Sequence, residues 1–487
     1  MTAMKIAVDT QLPAFANDIA DVIRIFGGEG AAAEPGDEQA SMTLCHKHEE
    51  KEGIWKETVT LSGEGVQKNA CRVHGVVPGE LEAKRYLKRL VKQTCYDVMK
   101  AYTGRSPAWG SLTGIRPTRL FYQALAQGRT VSEAQDALIR EFDLSSNKAD
   151  LLREIVETQR GLTDRDPARM DLYIGIPFCT TRCSYCSFSS GEIGNGKRVE
   201  PYLAALLKEI RAASRLIAEY GCKVDCCYIG GGTPSSLSTE QLDRLLTETE
   251  RCFPKLAEWT VEAGRPDTLD EAKLSMIRRH PVTRISINPQ TINDETLRKI
   301  GRAHTAADFL EAFCMARRLG FENINTDIIA ALPGEDLKMF EKTLDAIRAL
   351  KPESLTVHTL AVKRSSKLHE QRYQQTEHAV ADMVDAARAC AGELGMKAYY
   401  LYRQKYMADN LENVGYCLPE AICRYNIDNM EETTSVLAVG SGGISKFVPG
   451  IEEKIVRVPN VSNIEQYIER IDEMIERKTA AFKEVFV

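Results

Sequence analysis

A chain of 487 residues with 63 Lys and Arg against 69 Asp and Glu carries a formal net charge of −6, and 43% of it is hydrophobic. That length supports two or three domains with cores of their own, in an ordinary soluble globular composition. The acidic balance gives no electrostatic footprint for nucleic acid or an anionic membrane surface, and no run approaches the ~20 apolar residues of a membrane-spanning helix.

The opening residues show no signal-peptide pattern, so the fourteen cysteines are expected to stay free in a reducing cytoplasm. Residues 4–8 read as a strand, 15–26 as a helix and 55–61 as an alternating strand, while 80–102 and 131–162 read as amphipathic helices. This makes residues 1–165 an α+β accessory domain. Cys45-His46-Lys47-His48 mimics a metal loop, but with no second ligand pair it reads better as a strand edge. The loop from Trp109 to Arg119 combines glycines, an aromatic ring and two arginines. Arg116 and Arg119 are candidates for holding substrate carboxylates by bidentate contacts, the alternative being a purely structural loop.

The polar segment 164–170 separates this region from one patterned differently. Strand runs at 172–176, 224–229, 259–262, 284–288, 323–328 and 354–360 alternate with helices at 201–220, 240–252, 270–279, 306–319 and 336–350. That alternation is the pattern of βα units around a parallel sheet. Ser238 and Gln241 open the second helix as a capping box. Cys226 and Cys227 fall inside an apolar strand and read as core. His304 and His358 read as structural rather than catalytic, and no catalytic acid–base residue is assigned. Beyond residue 400, the run from Tyr399 to Tyr406 mixes tyrosines with Arg403 and Lys405. It reads either as a wall for a macrocycle bearing carboxylates or as a half-buried strand. Residues 401–487 are expected to cover the substrate as a C-terminal lid segment, with an amphipathic helix at 464–483.

Cys179, Cys183 and Cys186 stand in one run spaced C-x3-C-x2-C, directly after an apolar strand. Three thiolates so close can hold three corners of a [4Fe–4S] cluster and leave one iron open, since the next cysteine, Cys222, lies far outside the loop. Downstream, Gly230-Gly231-Gly232-Thr233-Pro234, then Glu262, Gln290 with Arg302, and Asp327 each follow an apolar strand. Glycines at such a place let backbone N–H groups approach a polar ligand.

In this order the motifs resemble those of the radical S-adenosylmethionine (SAM) superfamily. Within it they resemble the oxygen-independent coproporphyrinogen III oxidase (coproporphyrinogen dehydrogenase) family, in its long HemZ-type branch. The resemblance covers about residues 171–446. It implies an α/β fold, a partial (β/α)6 radical SAM barrel at 166–400, with the α+β domain before it and the lid segment after it. It implies a [4Fe–4S] cluster on the three cysteines and one or two SAM molecules as cofactors. Tyr173, Gly231, Glu262, Gln290, Arg302, Asp327 and Ala361 would line the SAM site, and Tyr185, Gly232 and Thr233 the place of a second SAM. The implied reaction is oxidative decarboxylation of coproporphyrinogen III to protoporphyrinogen IX through a 5′-deoxyadenosyl radical. The implied partners are a tetrapyrrole substrate and a low-potential electron donor such as flavodoxin or ferredoxin.

Two departures bear on the substrate. Gly175 stands where the family's best-studied branch has a histidine, and Phe188 stands where that branch has a further cysteine. Alternatives are therefore a haem-binding chaperone of the same family without oxidase activity, or a radical SAM enzyme acting on haem.

Overall fold

The computed structural model describes residues 4–32, 40–114, 116–188, 190–363, 365–371, 379–450 and 454–486. The chain forms two compact units, residues 1–153 with 409–411, and residues 154–408 with 412–487.

The N-terminal unit is built on a five-stranded sheet in the order Gly28–Ala32, Met4–Thr10, Met42–Lys51, Ile54–Gly63, Val66–Gly75. The first three strands are parallel and the last three antiparallel. Both hairpins turn on a two-residue Glu-Gly loop, Glu52-Gly53 and Glu64-Gly65, with positive φ at each residue (53°, 72° and 50°, 76°). Positive φ at both central residues marks the type I′ turn, whose twist matches that of the strands it joins. The helices Ala16–Ile25 and Glu80–Thr103 share a core with this sheet that includes Ile6, Val8, Leu44, Val59, Val91 and Met99. Met42–Lys51 lies in the middle of the sheet, so Cys45 to His48 occupy a central strand and not an edge. Glu57 on the neighbouring strand accepts from both imidazoles, His46 Nε2 at 2.7 Å and His48 Nδ1 at 2.6 Å.

The helix expected over 131–162 is two helices, Val131–Phe142 and Ser146–Thr158. They break at Asp143, which is left-handed at φ 57° and whose carboxylate accepts from Tyr96 Oη and Lys100 Nζ on the long helix. That tertiary tether outweighs an unbroken amphipathic pattern. In the same way the stretch ending at Arg119 is only partly loop, because a helix spans Thr118–Ala126.

The second unit carries an eleven-stranded sheet. Six strands follow one another in chain order, Arg169–Ile176, Lys223–Gly231, Glu258–Gly264, Arg284–Ile287, Ile324–Ala330 and Ser354–Thr359, each parallel to the next. Helices connect them at Val199–Glu219, Thr239–Cys252, Glu271–Arg279, Ala306–Arg318 and Leu337–Leu350. This is the expected partial (β/α)6 barrel, open because among the described residues the strand order runs from one end to the other without a closing pair. All four residues of Arg284–Ile287 and all but Tyr173 of Arg169–Ile176 are buried, as strands covered on both faces should be. The capping box of Ser238 and Gln241 is formed, with both reciprocal hydrogen bonds.

A seventh parallel strand, Ser435–Val439, flanks Arg169–Ile176. All five of its residues are buried, so this stretch is part of the barrel wall. At the other end Asn413–Cys417 and Lys397–Tyr402 continue the sheet antiparallel. Lys397–Tyr402 is the end strand of the sheet, with Tyr399 and Tyr400 buried and Tyr406 beyond it exposed. The terminal segment is two helices, Ile464–Glu469 and Ile471–Phe486. Among the described residues no helix is long and apolar enough to cross a membrane.

Candidate functional site

Parallel strands present their carboxyl ends together at one rim, and ligands of such sheets bind there. The three cysteines leave the first strand at this rim. Phe178–Cys179 forms a short strand, and the loop beyond it is pinned by its own and by distant backbone groups. Cys186 N donates to Cys183 O at 3.1 Å, Ser184 N to Ile300 O at 2.9 Å, and Leu368 N to Ser184 O at 3.0 Å. The glycine turn after the second strand packs against this loop. Thr233 N donates to Phe178 O at 2.7 Å and the Thr233 hydroxyl to Cys179 Sγ at 3.5 Å. A Cβ on Gly232 would lie 3.0 Å from Cys179 Sγ and 2.6 Å from Phe178 O, so the absence of a side chain keeps the space at that sulfur clear. Arg265 Nη1 donates to Thr181 O at 3.1 Å and lies 3.9 Å from Cys183 Sγ.

The next strand ends bring a second set of polar groups to the rim. Glu262 Oε1 accepts from Tyr228 Oη at 2.6 Å. Burial raises the Glu262 carboxyl to about 7; Asp327 pushes the same way, while the Tyr228 hydroxyl and the Gly231 N–H oppose. Asp327 is held by two amides, Asn288 Nδ2 at 2.9 Å and Asn325 Nδ2 at 2.8 Å, and His358 Nε2 lies 3.7 Å away. Gln290 is left-handed at φ 67° and its backbone bridges to the strand of Asp327, donating to Asp327 O at 3.1 Å. Arg302 is positioned by Tyr185, its Nη2 lying 3.3 Å from the Tyr185 hydroxyl, and its buried Nε has no partner among the described residues. Tyr173 stacks on Tyr228 and on Tyr425 at 6.5 Å each, and Tyr228 on Tyr425 at 4.7 Å. Ala361 pairs with Met407 just past the sixth strand.

Several contributors were not singled out from the sequence. Tyr228, Arg265, Asn288 and Tyr425 hold the groups above, yet a tyrosine in an apolar strand or an asparagine after one reads as ordinary core or turn. Of the candidate substrate residues, Arg116 and Arg119 lie in the N-terminal unit, Arg119 exposed in the first turn of its helix. Arg403 is only 2% exposed, its pKa lowered to about 10 by burial and opposed by Glu412, whereas Lys405 is exposed. His304 is buried, with Nδ1 3.7 Å from Asp267.

The donor set suits an iron–sulfur cluster. Between Cys179 and Cys186 the only soft ligands are three thiols, and no carboxylate or imidazole stands among them. Burial raises the Cys186 thiol, and the sulfurs of Cys183 and Cys179 push in the same direction. Three thiolates crowded in this way need a cationic centre to stay ionised together. Cys222 cannot be a fourth ligand from this strand pair. It precedes the amino end of Lys223–Gly231, and at about 3.3 Å per residue that places it roughly 25 Å from the glycine turn.

Comparison with known proteins agrees with this architecture. The Radical SAM superfamily profile matches residues 173–347. The chain is 37% identical over 475 residues to the oxygen-independent coproporphyrinogen-III oxidase-like protein HemZ of Bacillus subtilis, covering 95% of this chain and 92% of that one. It is 40% identical over 195 residues to the heme chaperone HemW of the same organism, covering 39% of this chain and half of HemW. Among solved structures, coproporphyrinogen III oxidase (HemN) of Escherichia coli shares the fold at a TM-score of 0.51, with 22% identity, over 64% of this chain and 72% of that one. The chain therefore belongs to the radical SAM superfamily, which uses a [4Fe–4S] cluster and SAM, and within it to the oxygen-independent coproporphyrinogen III oxidase family in its HemZ-type branch.

Proposed function

We propose that the protein decarboxylates two propionate side chains of coproporphyrinogen III oxidatively and without oxygen, giving protoporphyrinogen IX. The observation that carries this reading is the likeness to an oxidase-like relative along nearly the whole chain. Cys179, Cys183 and Cys186 hold the cluster. Tyr173, Gly231, Glu262, Gln290, Arg302, Asp327 and Ala361 line the SAM site, with Tyr185, Gly232 and Thr233 beside a second SAM. When bound, cluster and SAM supply a 5′-deoxyadenosyl radical able to take a hydrogen atom from the propionate carbon next to the macrocycle.

The chain's own residues bind, orient and exclude water. Glu262, fixed by Tyr228, is suited to accept from ribose hydroxyls. Asp327 is locked by two asparagine amides and cannot swing away. The buried, half-satisfied guanidinium of Arg302 offers a donor to an anionic ligand group. Such fixed placement matters because an unpositioned radical reacts with the nearest hydrogen. Arg403 and Lys405 in the second unit, and Arg116 and Arg119 in the N-terminal unit, are the cations we assign to carboxylate recognition. The N-terminal α+β domain serves as an accessory module, and residues 401–487, apart from the strands Asn413–Cys417 and Ser435–Val439 that join the barrel sheet, cover the substrate. A flavodoxin or ferredoxin supplies the electron.

A second reading is a haem chaperone, favoured by the likeness to HemW and by Phe188, which is 68% exposed where the oxidase branch has its further cysteine. One experiment separates the two. After anaerobic reconstitution with iron and sulfide, the protein is reduced with SAM and coproporphyrinogen III and the products are weighed by mass spectrometry. Deoxyadenosine with a product lacking two carboxyl groups supports the oxidase. Deoxyadenosine with untouched coproporphyrinogen, together with a stoichiometric haem complex, replaces it by the chaperone.

A further inference from the structure

The N-terminal unit contains a cavity of about 500 Å³ that the chemistry above does not use. Its wall comes from the last strand of the small sheet, the long helix Glu80–Thr103 and the helices Thr118–Ala126 and Val131–Phe142. Three arginines, Arg72, Arg89 and Arg129, face it with a single carboxylate, Glu141. In a chain of net charge −6 that makes a local excess of positive charge.

The three arginines are not equivalent. Arg72 is engaged by Asp97, its Nε at 2.6 Å and Nη2 at 3.0 Å from the two carboxylate oxygens. Arg129 lies 3.6 Å from Glu141. Arg89 has no carboxylate partner among the described residues. Its guanidinium instead sits over two rings, Tyr86 at 5.0 Å and Phe142 at 5.3 Å. A guanidinium seated over ring faces makes cation–π contacts that use none of its N–H donors as an ion pair would, which keeps them available to an oxyanion. Tyr86 in turn lies 5.6 Å from the ring of His74, 35° from parallel, so the same wall offers a pair of flat surfaces. The side chains of Gln123 and Gln127 add amide donors and acceptors.

We propose that this cavity is a binding site for a small planar anion, a flat ring system bearing carboxylate or phosphate groups, with Arg89 as its anchor. The volume lies within the range of small-molecule sites, and the combination of stacking surface and fork-shaped cation recognises both features at once. The site belongs to the N-terminal unit alone and does not depend on which reaction the barrel carries out.

The test is calorimetric titration of the full-length protein with two probes, ATP for a phosphate-bearing ring and coproporphyrin III for a tetracarboxylate. One of the two is expected to bind one to one, and which one identifies the source of the anion. Arg89→Gln should weaken that binding about ten-fold or more, the loss of a charge-assisted bidentate contact, with Arg89→Lys intermediate. Far-UV circular dichroism and the urea unfolding midpoints of both variants should equal those of the unaltered protein, which separates a lost ligand contact from a lost fold. Absence of binding by both probes at millimolar concentration overturns the proposal. So does binding that Arg89→Gln leaves unchanged, an outcome that for coproporphyrin would move its site to the barrel and leave the oxidase reading standing.

Discussion

Burial raises the Glu262 carboxyl to about 7 in the folded protein, from an ordinary 4.5. The folded chain therefore keeps this proton to higher pH than the unfolded chain does. Stability from this group is full below about pH 4.5 and is lost as pH rises toward 7, by up to roughly 3 kcal/mol. Urea unfolding of the cluster-free protein at pH 5 and 7.5 should show Glu262→Gln removing that part of the slope; an unchanged slope would mean that the carboxyl is solvated. Tyr228→Phe deletes the hydroxyl that fixes the same group and should weaken SAM binding by about 1 kcal/mol, near five-fold, in equilibrium dialysis. Cys183→Ala should abolish both the iron–sulfur absorbance and SAM cleavage, and intact cleavage would remove the radical reading. The cysteine triad was legible because its chemistry is local, three thiols within eight residues. Tyr228 was not, because its role exists only where a neighbouring strand brings Glu262 alongside.

At the level of elements, the barrel strands and their helices were readable almost residue by residue. Strands covered on both faces are apolar throughout, and the helices carry one apolar stripe between capping signals. The failures share a cause. Val66–Gly75 has no buried residue in its pattern, so alternation could not reveal it, and its place comes from the turn at Glu64-Gly65. Ser435–Val439 read as part of a covering segment because a short apolar run carries no information about its neighbours. It is seated by the turn that follows it. Gly440 has φ 96°, and a Cβ there would lie 2.4 Å from Gly175 O and 2.8 Å from the Tyr202 hydroxyl. Gly440→Ala should therefore cost at least about 2 kcal/mol, from left-handed strain plus the clash with backbone. A urea midpoint equal to that of the parent protein would show that the strand is held in another way.

Across the second unit as a whole, the chain's last helix is tied to the first barrel helix by buried charge. Lys478 pairs with Glu209, whose oxygens also accept from Asn460 Nδ2 at 2.9 Å, Gly440 N at 2.8 Å and Tyr467 Oη at 2.6 Å. Removing one member of a buried pair strands the other, so Lys478→Met should destabilise this unit by about 3–5 kcal/mol, while Lys478→Met with Glu209→Gln should recover part of the loss. Additive losses in the double variant, measured by urea unfolding, would count against the pairing. What the amino-acid sequence determined by itself was the chemistry that is local: the cysteine spacing, the alternation of strand and helix, the caps, and with them the family. Tertiary structure alone decided which strand flanks the first, where residues 131–162 break, and that Arg403 faces inward while Lys405 faces out. It also decided that Arg89, without a carboxylate partner among the described residues, stands over the rings of Tyr86 and Phe142. Those outcomes depend on contacts between residues far apart in the chain, whose energies no local pattern encodes.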